Sequence, residues 1–255
     1  MPPVLETRDL SIHFGGQAAV DGVNCAFDRG TLTAIVGPNG AGKTTYFNLI
    51  SGQLRANSGE VLLEGRPITG LSAPARAKRG LGRAFQLTNL FPNLSVLENV
   101  RLAIQARRGP GLDFLTMAAS HGALRDEALA CLERVKLAAR ASVPAAALPH
   151  GDQRKLEVAI LLGLEPRVFM FDEPSAGMSV DEVPVIVDLI EEIKAMRDRT
   201  VLLVEHKMEV VRRLADRVVV LHQGRLVADG APNEIVASPI VQEAYLGIAR
   251  PGAHG

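Results

Sequence analysis

Residues 37–45, Gly-Pro-Asn-Gly-Ala-Gly-Lys-Thr-Thr, match the phosphate-binding pattern G-x-x-x-x-G-K-[ST]. An apolar run at 32–36 precedes the motif and a helical pattern at 44–51 follows it, which is the context that the pattern requires. Glycines let backbone N–H groups approach phosphate oxygens, and a helix N-terminus and a lysine add positive charge. The motif predicts a nucleoside triphosphate site built from Gly37, Pro38, Asn39, Gly40, Ala41, Gly42, Lys43, Thr44 and Thr45, with the Thr44 hydroxyl on Mg²⁺.

A second apolar run, at 168–171, ends in two carboxylates, Asp172 and Glu173. A buried strand would bring Asp172 to the sheet edge beside the phosphate loop, where it can hold Mg²⁺ directly or through water. Glu173 is predicted to polarise a water for in-line attack on the γ-phosphate. The alternative is an ordinary strand end with acidic turn residues, but the phosphate loop upstream favours the functional interpretation.

Short runs rich in Val, Leu and Ile recur along the chain, as in strands that are buried on both faces. Helical patterns separate several of them, which predicts an α/β fold with a mostly parallel sheet and helices on both faces. The runs lie at 32–36, 61–64, 168–171, 201–205 and 217–221.

Two other parts of the chain depart from this alternation. Residues 5–14 and 20–27 predict strands of a small N-terminal antiparallel layer, and the stretch from 95 to 164 predicts an inserted α-helical subdomain. We therefore predict a single domain over 1–250. Its parts are an α/β core (1–92 and 165–230), a helical subdomain (93–164) and a C-terminal helical extension (231–250), followed by a flexible tail (251–255).

Composition excludes some classes of protein. The 255 residues are 47% hydrophobic, so a sizeable core is expected, and 28 basic residues balance 28 acidic ones, which argues against a nucleic-acid partner. The two cysteines and six histidines lack metal-ligand spacing, so no structural metal is predicted and the cysteines are expected to be reduced. We expect neither a secretory signal nor a membrane span.

The order of the motifs resembles that of ABC-type ATPases, and the resemblance covers nearly the whole chain. It implies a P-loop NTPase fold of RecA-like type, in which two nucleotide-binding domains close head to tail over two Mg-ATP and so move attached membrane domains. The motifs, in order, are the phosphate loop, Phe85-Gln86, a Leu-x-x-Gly element at 148–151, Asp172-Glu173 and Val204-Glu205-His206.

The resemblance also implies roles for individual residues. Phe14 would stack on adenine, although a core phenylalanine is the alternative, and Gln86 would bind Mg²⁺ or the attacking water, although it is otherwise a surface residue. His206 would contact the γ-phosphate rather than serve only the structure. The general base would be Glu173, and Lys43, Thr44 and Asp172 would be the phosphate and metal residues.

The family signature Leu-Ser-Gly-Gly-Gln is altered here to Leu148-Pro149-His150-Gly151-Asp152. Gly151 and Asp152 are expected to approach the γ-phosphate that the partner subunit binds. Pro149 supplies neither the hydroxyl of serine nor a backbone N–H. This departure favours pairing with a related but different ATPase, and a homodimer stays open.

Several segments resemble one branch of the family, the ATP-binding subunits of importers for branched-chain (hydrophobic) amino acids. They are 14–16 with 19–21, 46–52, 83–86, 90–91, 95–100, 150–159 and 241–247. The resemblance implies an ATP hydrolase on the cytoplasmic face of the cell membrane, bound to permease subunits and served indirectly by a solute-binding protein. Urea or amide import, export of lipopolysaccharide type, and a soluble ABC ATPase remain alternatives.

Apolar residues near Gln86 are candidates for receiving a coupling helix from a permease subunit. The alternative is that they pack in the core of the helical subdomain. They are Phe85, Leu90, Phe91 and Leu94.

Overall fold

The computed structural model describes residues 2–84, 90–109 and 117–238, in which ten strands form two sheets. A four-stranded antiparallel sheet has the order β2-β1-β4-β5, and a six-stranded sheet has the order β10-β9-β3-β8-β7-β6. The strands are β1 (Leu5–Phe14), β2 (Gln17–Phe27), β3 (Leu32–Val36), β4 (Ser58–Leu63), β5 (Arg66–Pro67), β6 (Leu81–Ala84), β7 (Val168–Asp172), β8 (Thr200–Val204), β9 (Arg217–His222) and β10 (Arg225–Gly230).

Eight α-helices accompany these strands in the described part of the chain. None of them is both long enough and apolar enough to cross a membrane. They are α1 (Lys43–Ser51), α2 (Ala73–Lys78), α3 (Val96–Arg108), α4 (Met117–Arg134), α5 (His150–Leu164), α6 (Val183–Ala195), α7 (Met208–Leu214) and α8 (Pro232–Ala237), with two short 3₁₀ turns at Ala138–Arg140 and Ala145–Ala147.

The six-stranded sheet is parallel from β6 through β9, and β10 is its antiparallel edge. Every residue of β3, β7 and β8 is buried, because helices and the second sheet cover both faces of these Val- and Leu-rich strands. The predicted fold class, with its N-terminal antiparallel layer and its helices between residues 95 and 164, is confirmed.

One strand assignment from the sequence was wrong, and one core strand was missed. The run at 61–64 is not a strand of the parallel core: β4 pairs antiparallel with β1 in the four-stranded sheet. The core strand that follows α2 is instead β6, Leu-Gly-Arg-Ala, which pairs with β7. Its composition hides it, because only one of its four residues is a large apolar one.

Gly82 allows the short strand β6 to pack closely against its neighbours. A Cβ at this position would lie 2.5 Å from Leu161 Cδ1 and 2.6 Å from Pro166 Cγ, so α5 and the connection from α5 to β7 pack directly on the β6 backbone. Any side chain larger than hydrogen at position 82 would therefore push α5 and the connection that follows it away from the sheet.

We predict that Gly82→Ala lowers the free energy of unfolding by about 1–3 kcal/mol, because the added methyl group overpacks the core. Urea unfolding followed by circular dichroism measures the change. Gly70→Ala is the matched control, since a Cβ there meets nothing within 4 Å. Equal unfolding midpoints for the two variants would contradict the packing argument.

Candidate functional site

The phosphate loop joins the end of β3 to the first residue of α1. Two of its glycines are required by close backbone approach as well as by positive φ angles. At Gly37 (φ +154°) a Cβ would lie 2.1 Å from the Leu221 carbonyl oxygen, and at Gly42 (φ +97°) 2.3 Å from the Ala19 carbonyl oxygen. The loop can therefore keep this shape only with glycine at both positions.

The Lys43 side chain curls back along the loop. Its Nζ donates to the Gly37 carbonyl oxygen at 2.7 Å and to the Pro38 carbonyl oxygen at 2.9 Å. Burial lowers the pKa of Lys43, while the charges of Glu173 and Asp172 act in the opposite direction. The ammonium group therefore lies inside the loop, where it is available to an anion.

A cavity of about 270 Å³ opens over this loop. Glu173 and His206, which come from the ends of two core strands, form part of its wall. Residue by residue the lining is Ala19, Asn39, Gly40, Ala41, Gly42, Lys43, Thr44, Thr45, Glu173 and His206. The structure thus brings the predicted phosphate, base and histidine residues together around a single cavity.

Glu173 and His206 are in direct contact in the wall of the cavity. His206 Nε2 and Glu173 Oε1 are 2.5 Å apart, and both side chains are 37% exposed. The Glu173 backbone has φ +52°, and its N–H donates to the Val204 carbonyl oxygen at 2.9 Å. This left-handed backbone turns the carboxylate from the end of β7 toward the strand that leads to His206.

Glu205 is a buried carboxylate to which sequence reasoning assigned no role. Its Oε1 accepts hydrogen bonds from Ser175 Oγ (3.1 Å), His206 N (2.9 Å) and Lys207 N (3.1 Å). The residue is 2% exposed and does not line the cavity over the phosphate loop. It ties the loop after Glu173 to the loop that carries His206. The one sequence signal was an acidic residue directly after the apolar run at 201–204.

Asp172 ends β7 with its side chain 3% exposed. Its Oδ2 accepts a hydrogen bond from Arg83 Nη2 at 2.7 Å, whereas Oδ1 accepts none from any residue that the structure describes. Burial raises the pKa of Asp172, and the neighbouring Arg83 opposes that rise. Asp172 does not itself line the cavity, whereas Thr44 does. A carboxylate oxygen without a hydrogen-bond donor and a threonine hydroxyl are both ligand types that suit a hard divalent cation.

The altered signature lies at the start of α5, where the sequence places it. A Cβ on Gly151 would lie 2.1 Å from Glu182 Oε1, so this carboxylate rests directly on the glycine. Asp152 pairs with Lys155 (2.8 Å) and with Arg140 (3.1 Å). Neither Gly151 nor Asp152 lines the cavity over the phosphate loop.

The remaining predicted residues divide into three groups. Phe14 is 52% exposed at the end of β1, so it is not a core residue. Phe91 and Leu94 are also exposed, whereas Leu90 packs against the core that α3, α4 and α5 share with the sheet. Phe85 and Gln86 lie outside the described residues.

One family model matches the chain from within the second strand to the loop after Glu173. Residues 20–176 match the model described as ABC transporter. The chain belongs to the ABC transporter family. A further model, described as branched-chain amino acid ATP-binding cassette transporter, matches residues 225–249. The family predicted from the order of motifs is confirmed.

Two bacterial ABC proteins are similar over almost their full length. One is the high-affinity branched-chain amino acid transport ATP-binding protein BraF of Pseudomonas aeruginosa, 37% identical over 254 residues, or 97% of this chain and 99% of BraF. The other is the high-affinity branched-chain amino acid transport ATP-binding protein LivG of Escherichia coli K12, 37% identical over 252 residues, or 97% of this chain and 99% of LivG. The predicted likeness to this branch is therefore confirmed as well.

Solved ABC cassettes have the same fold. The crystal structure of a nucleotide-free ATP-binding cassette from an ABC transporter has a TM-score of 0.80 at 28% identity, covering 98% of this chain and all (100%) of that one. A cassette in its ADP conformation has a TM-score of 0.81 at 29% identity, with coverage of 97% and 100%. A cassette of this kind binds the adenine nucleotide, in agreement with the prediction for this chain.

Proposed function

We propose that this chain is the ATP-hydrolysing subunit of an ABC importer for branched-chain (hydrophobic) amino acids. The observation that carries the hydrolytic part is the contact between Glu173 and His206 on the wall of the phosphate-loop cavity. The cargo is supported by the names of BraF and LivG, with which the whole chain aligns, and by the match of residues 225–249.

In the proposed reaction the phosphate loop receives the triphosphate. Backbone N–H groups of the loop and of the α1 N-terminus bind the phosphate oxygens, and the Lys43 ammonium turns from the loop carbonyls to the terminal phosphates. The exposed ring of Phe14 supplies a face for adenine. Binding therefore exchanges hydrogen bonds inside the loop for charge-assisted ones to phosphate.

Glu173 accepts a proton from the attacking water as the water oxygen bonds to the γ-phosphorus. The bond from that phosphorus to the bridging oxygen breaks, so ADP leaves and inorganic phosphate is formed. His206, bonded to Glu173 through Nε2, holds the carboxylate in place and faces the γ-phosphate. Mg²⁺ would be held by Thr44, Asp172 and Gln86, and when bound it neutralises charge on the β- and γ-phosphate oxygens. Glu205 keeps the loops of both reacting side chains in register.

The proposed assembly contains two ATPase subunits, permease subunits in the membrane and, indirectly, a solute-binding protein. Gly151 and Asp152 are outside this chain's own nucleotide cavity, so they serve the γ-phosphate held by the second subunit. Because Pro149 provides neither a hydroxyl nor a backbone N–H, the signature makes fewer hydrogen bonds to that γ-phosphate, which supports pairing with a different ATPase. Exposed Phe91 and Leu94 are the proposed contact for a permease helix, and the complex places the chain on the cytoplasmic face of the membrane.

We predict that cells deleted for this gene lose uptake of labelled leucine, isoleucine and valine, and that only the wild-type gene restores it. Lys43→Ala and Glu173→Gln are the matched inactive variants, with expression checked by immunoblotting. Unchanged uptake in all of these strains would contradict the assignment of branched-chain amino acids as the cargo, but it would not contradict the proposed ATPase activity. Labelled urea or short amides, or the export of lipopolysaccharide, would then be measured in the same strains.

A further inference from the structure

Arg83 connects parts of the site that are far apart in the sequence. Its guanidinium group is 6% exposed, and Nη2 donates to Asp172 Oδ2 at 2.7 Å. On the other side, Nη1 donates to Asn48 Oδ1 at 2.7 Å and to Ser51 Oγ at 2.8 Å, both at the end of α1. The guanidinium carbon lies 5.5 Å from the centre of the Phe47 ring.

The planar shape of the guanidinium group decides what this contact can do. Its donors point in fixed directions, so one group can hold α1 and the end of β7 at a constant separation. Helix α1 begins at Lys43, and β7 ends at Asp172. A lysine at position 83 would keep the charge but, as a single ammonium on a flexible stem, could not hold both elements in this geometry.

The contact also selects one oxygen of the Asp172 carboxylate. Oδ2 is committed to Arg83, and Oδ1 accepts no hydrogen bond from the described residues. A carboxylate fixed through one oxygen by a hydrogen-bond donor is a common arrangement around metal sites, where the outer partner orients the ligand.

We propose that Arg83 is a positioning residue for the divalent cation that accompanies ATP, because it orients Asp172 through Oδ2 and leaves Oδ1 for the cation or its bound water. The inference rests on the proposed function, since it requires that Asp172 serve Mg-ATP. Arg83 itself touches neither nucleotide nor cation; it acts through Asp172.

The test measures how much Mg²⁺ strengthens nucleotide binding. A fluorescent ATP analogue is titrated onto the purified full chain in EDTA and in Mg²⁺, for wild type, Arg83→Lys and Arg83→Met. We expect affinities in EDTA within about twofold of wild type, and a strengthening by Mg²⁺ that is about 10-fold smaller in both variants, as is typical when an outer partner of a metal ligand is lost. The electron paramagnetic resonance spectrum of bound Mn²⁺ should change in the same variants.

Arg76→Met is the matched control. Arg76 is also buried and donates from Nη1 to the Leu49 and Ile50 carbonyl oxygens at the end of α1, but it does not touch Asp172. We expect it to lower the melting temperature and to leave the strengthening by Mg²⁺ at the wild-type value.

Three results would overturn the proposal. One is a wild-type response to Mg²⁺ in both Arg83 variants. Another is an equal loss in Arg76→Met, which would assign the effect to a general loosening of α1. The third is a wild-type chain that gains no affinity from Mg²⁺; this alone would also remove the Mg-ATP chemistry of the proposed function, so the two failures can be told apart.

Discussion

Glu173→Gln is expected to reduce the ATP hydrolysis rate by about 10²–10⁴-fold, the usual contribution of a general base. The amide has nearly the same shape as the carboxylate and can still bond to His206 Nε2, but it cannot take a proton from water. ATP binding should stay close to wild type, because the phosphate loop is unaltered. Phosphate release by the purified protein with Mg-ATP measures the rate.

Glu205→Gln is the informative comparison for that variant. The chemical change is the same, and Glu205 also lies beside His206, but unlike Glu173 it does not line the cavity over the phosphate loop. An amide oxygen can still accept the hydrogen bonds from Ser175 and His206. We expect a much smaller loss of rate than in Glu173→Gln, and equal losses would contradict the assignment of Glu173 as the base.

The same Glu173→Gln protein tests the choice of partner. Without hydrolysis, Mg-ATP should hold two ATPase subunits closed, so gel filtration reports whether this chain pairs with itself. Complete dimerisation of the variant alone would make a different partner unnecessary. A monomer that becomes a dimer only when the second ATPase subunit is added would support heteromeric pairing.

Lys43→Ala is expected to have the largest effect on binding. Each charge-assisted hydrogen bond to phosphate is worth about 1.5–3 kcal/mol, so the loss of even one weakens ATP binding by at least about tenfold. The variant also removes the two hydrogen bonds from Nζ to the loop carbonyls, at 2.7 and 2.9 Å, which keep the loop in shape. Titration with a fluorescent ATP analogue measures the change in affinity.

Lys78→Ala is the control, because Lys78 is exposed and does not line the phosphate-loop cavity. Circular dichroism and thermal melting establish whether Lys43→Ala remains folded. ATP affinity equal to that of wild type in a folded Lys43→Ala protein would mean that the cavity described above is not the nucleotide site.

The parts that sequence reasoning predicted well are those whose signal is local. The whole phosphate-loop motif is contained in nine adjacent residues, 37–45. Asp172 and Glu173 follow an apolar run whose composition is typical of a buried strand. Assigning a strand to a sheet is a different problem. The apolar run at 61–64 has the composition of a core strand, yet its partner is β1, and no property of the run itself distinguishes the two sheets.

Contacts between residues that are distant in the sequence could not be predicted either, because they depend on which strands are neighbours in the sheet. Arg83 and Asp172 are far apart in the chain and meet only because β6 and β7 are neighbours in the sheet. Because β6 has little apolar character, neither the strand nor its pairing with β7 could be inferred from the sequence. Glu205 is a similar case, because the burial that makes it a support for two loops depends on the packed strands around it.

The order of strands in the six-stranded sheet has a consequence for how the protein acquires its site during synthesis. Strand β3, which leads into the phosphate loop, lies between β8 and β9, and its residue Leu32 pairs with Val201. A growing chain that has emerged only as far as α6 therefore contains the complete phosphate-binding motif but has no partner strand on either side of β3. Such non-local pairings form late and slowly. ATP that binds only the chain with a finished sheet stabilises only that chain, so the amount of ATP bound per chain at saturation measures completed folding.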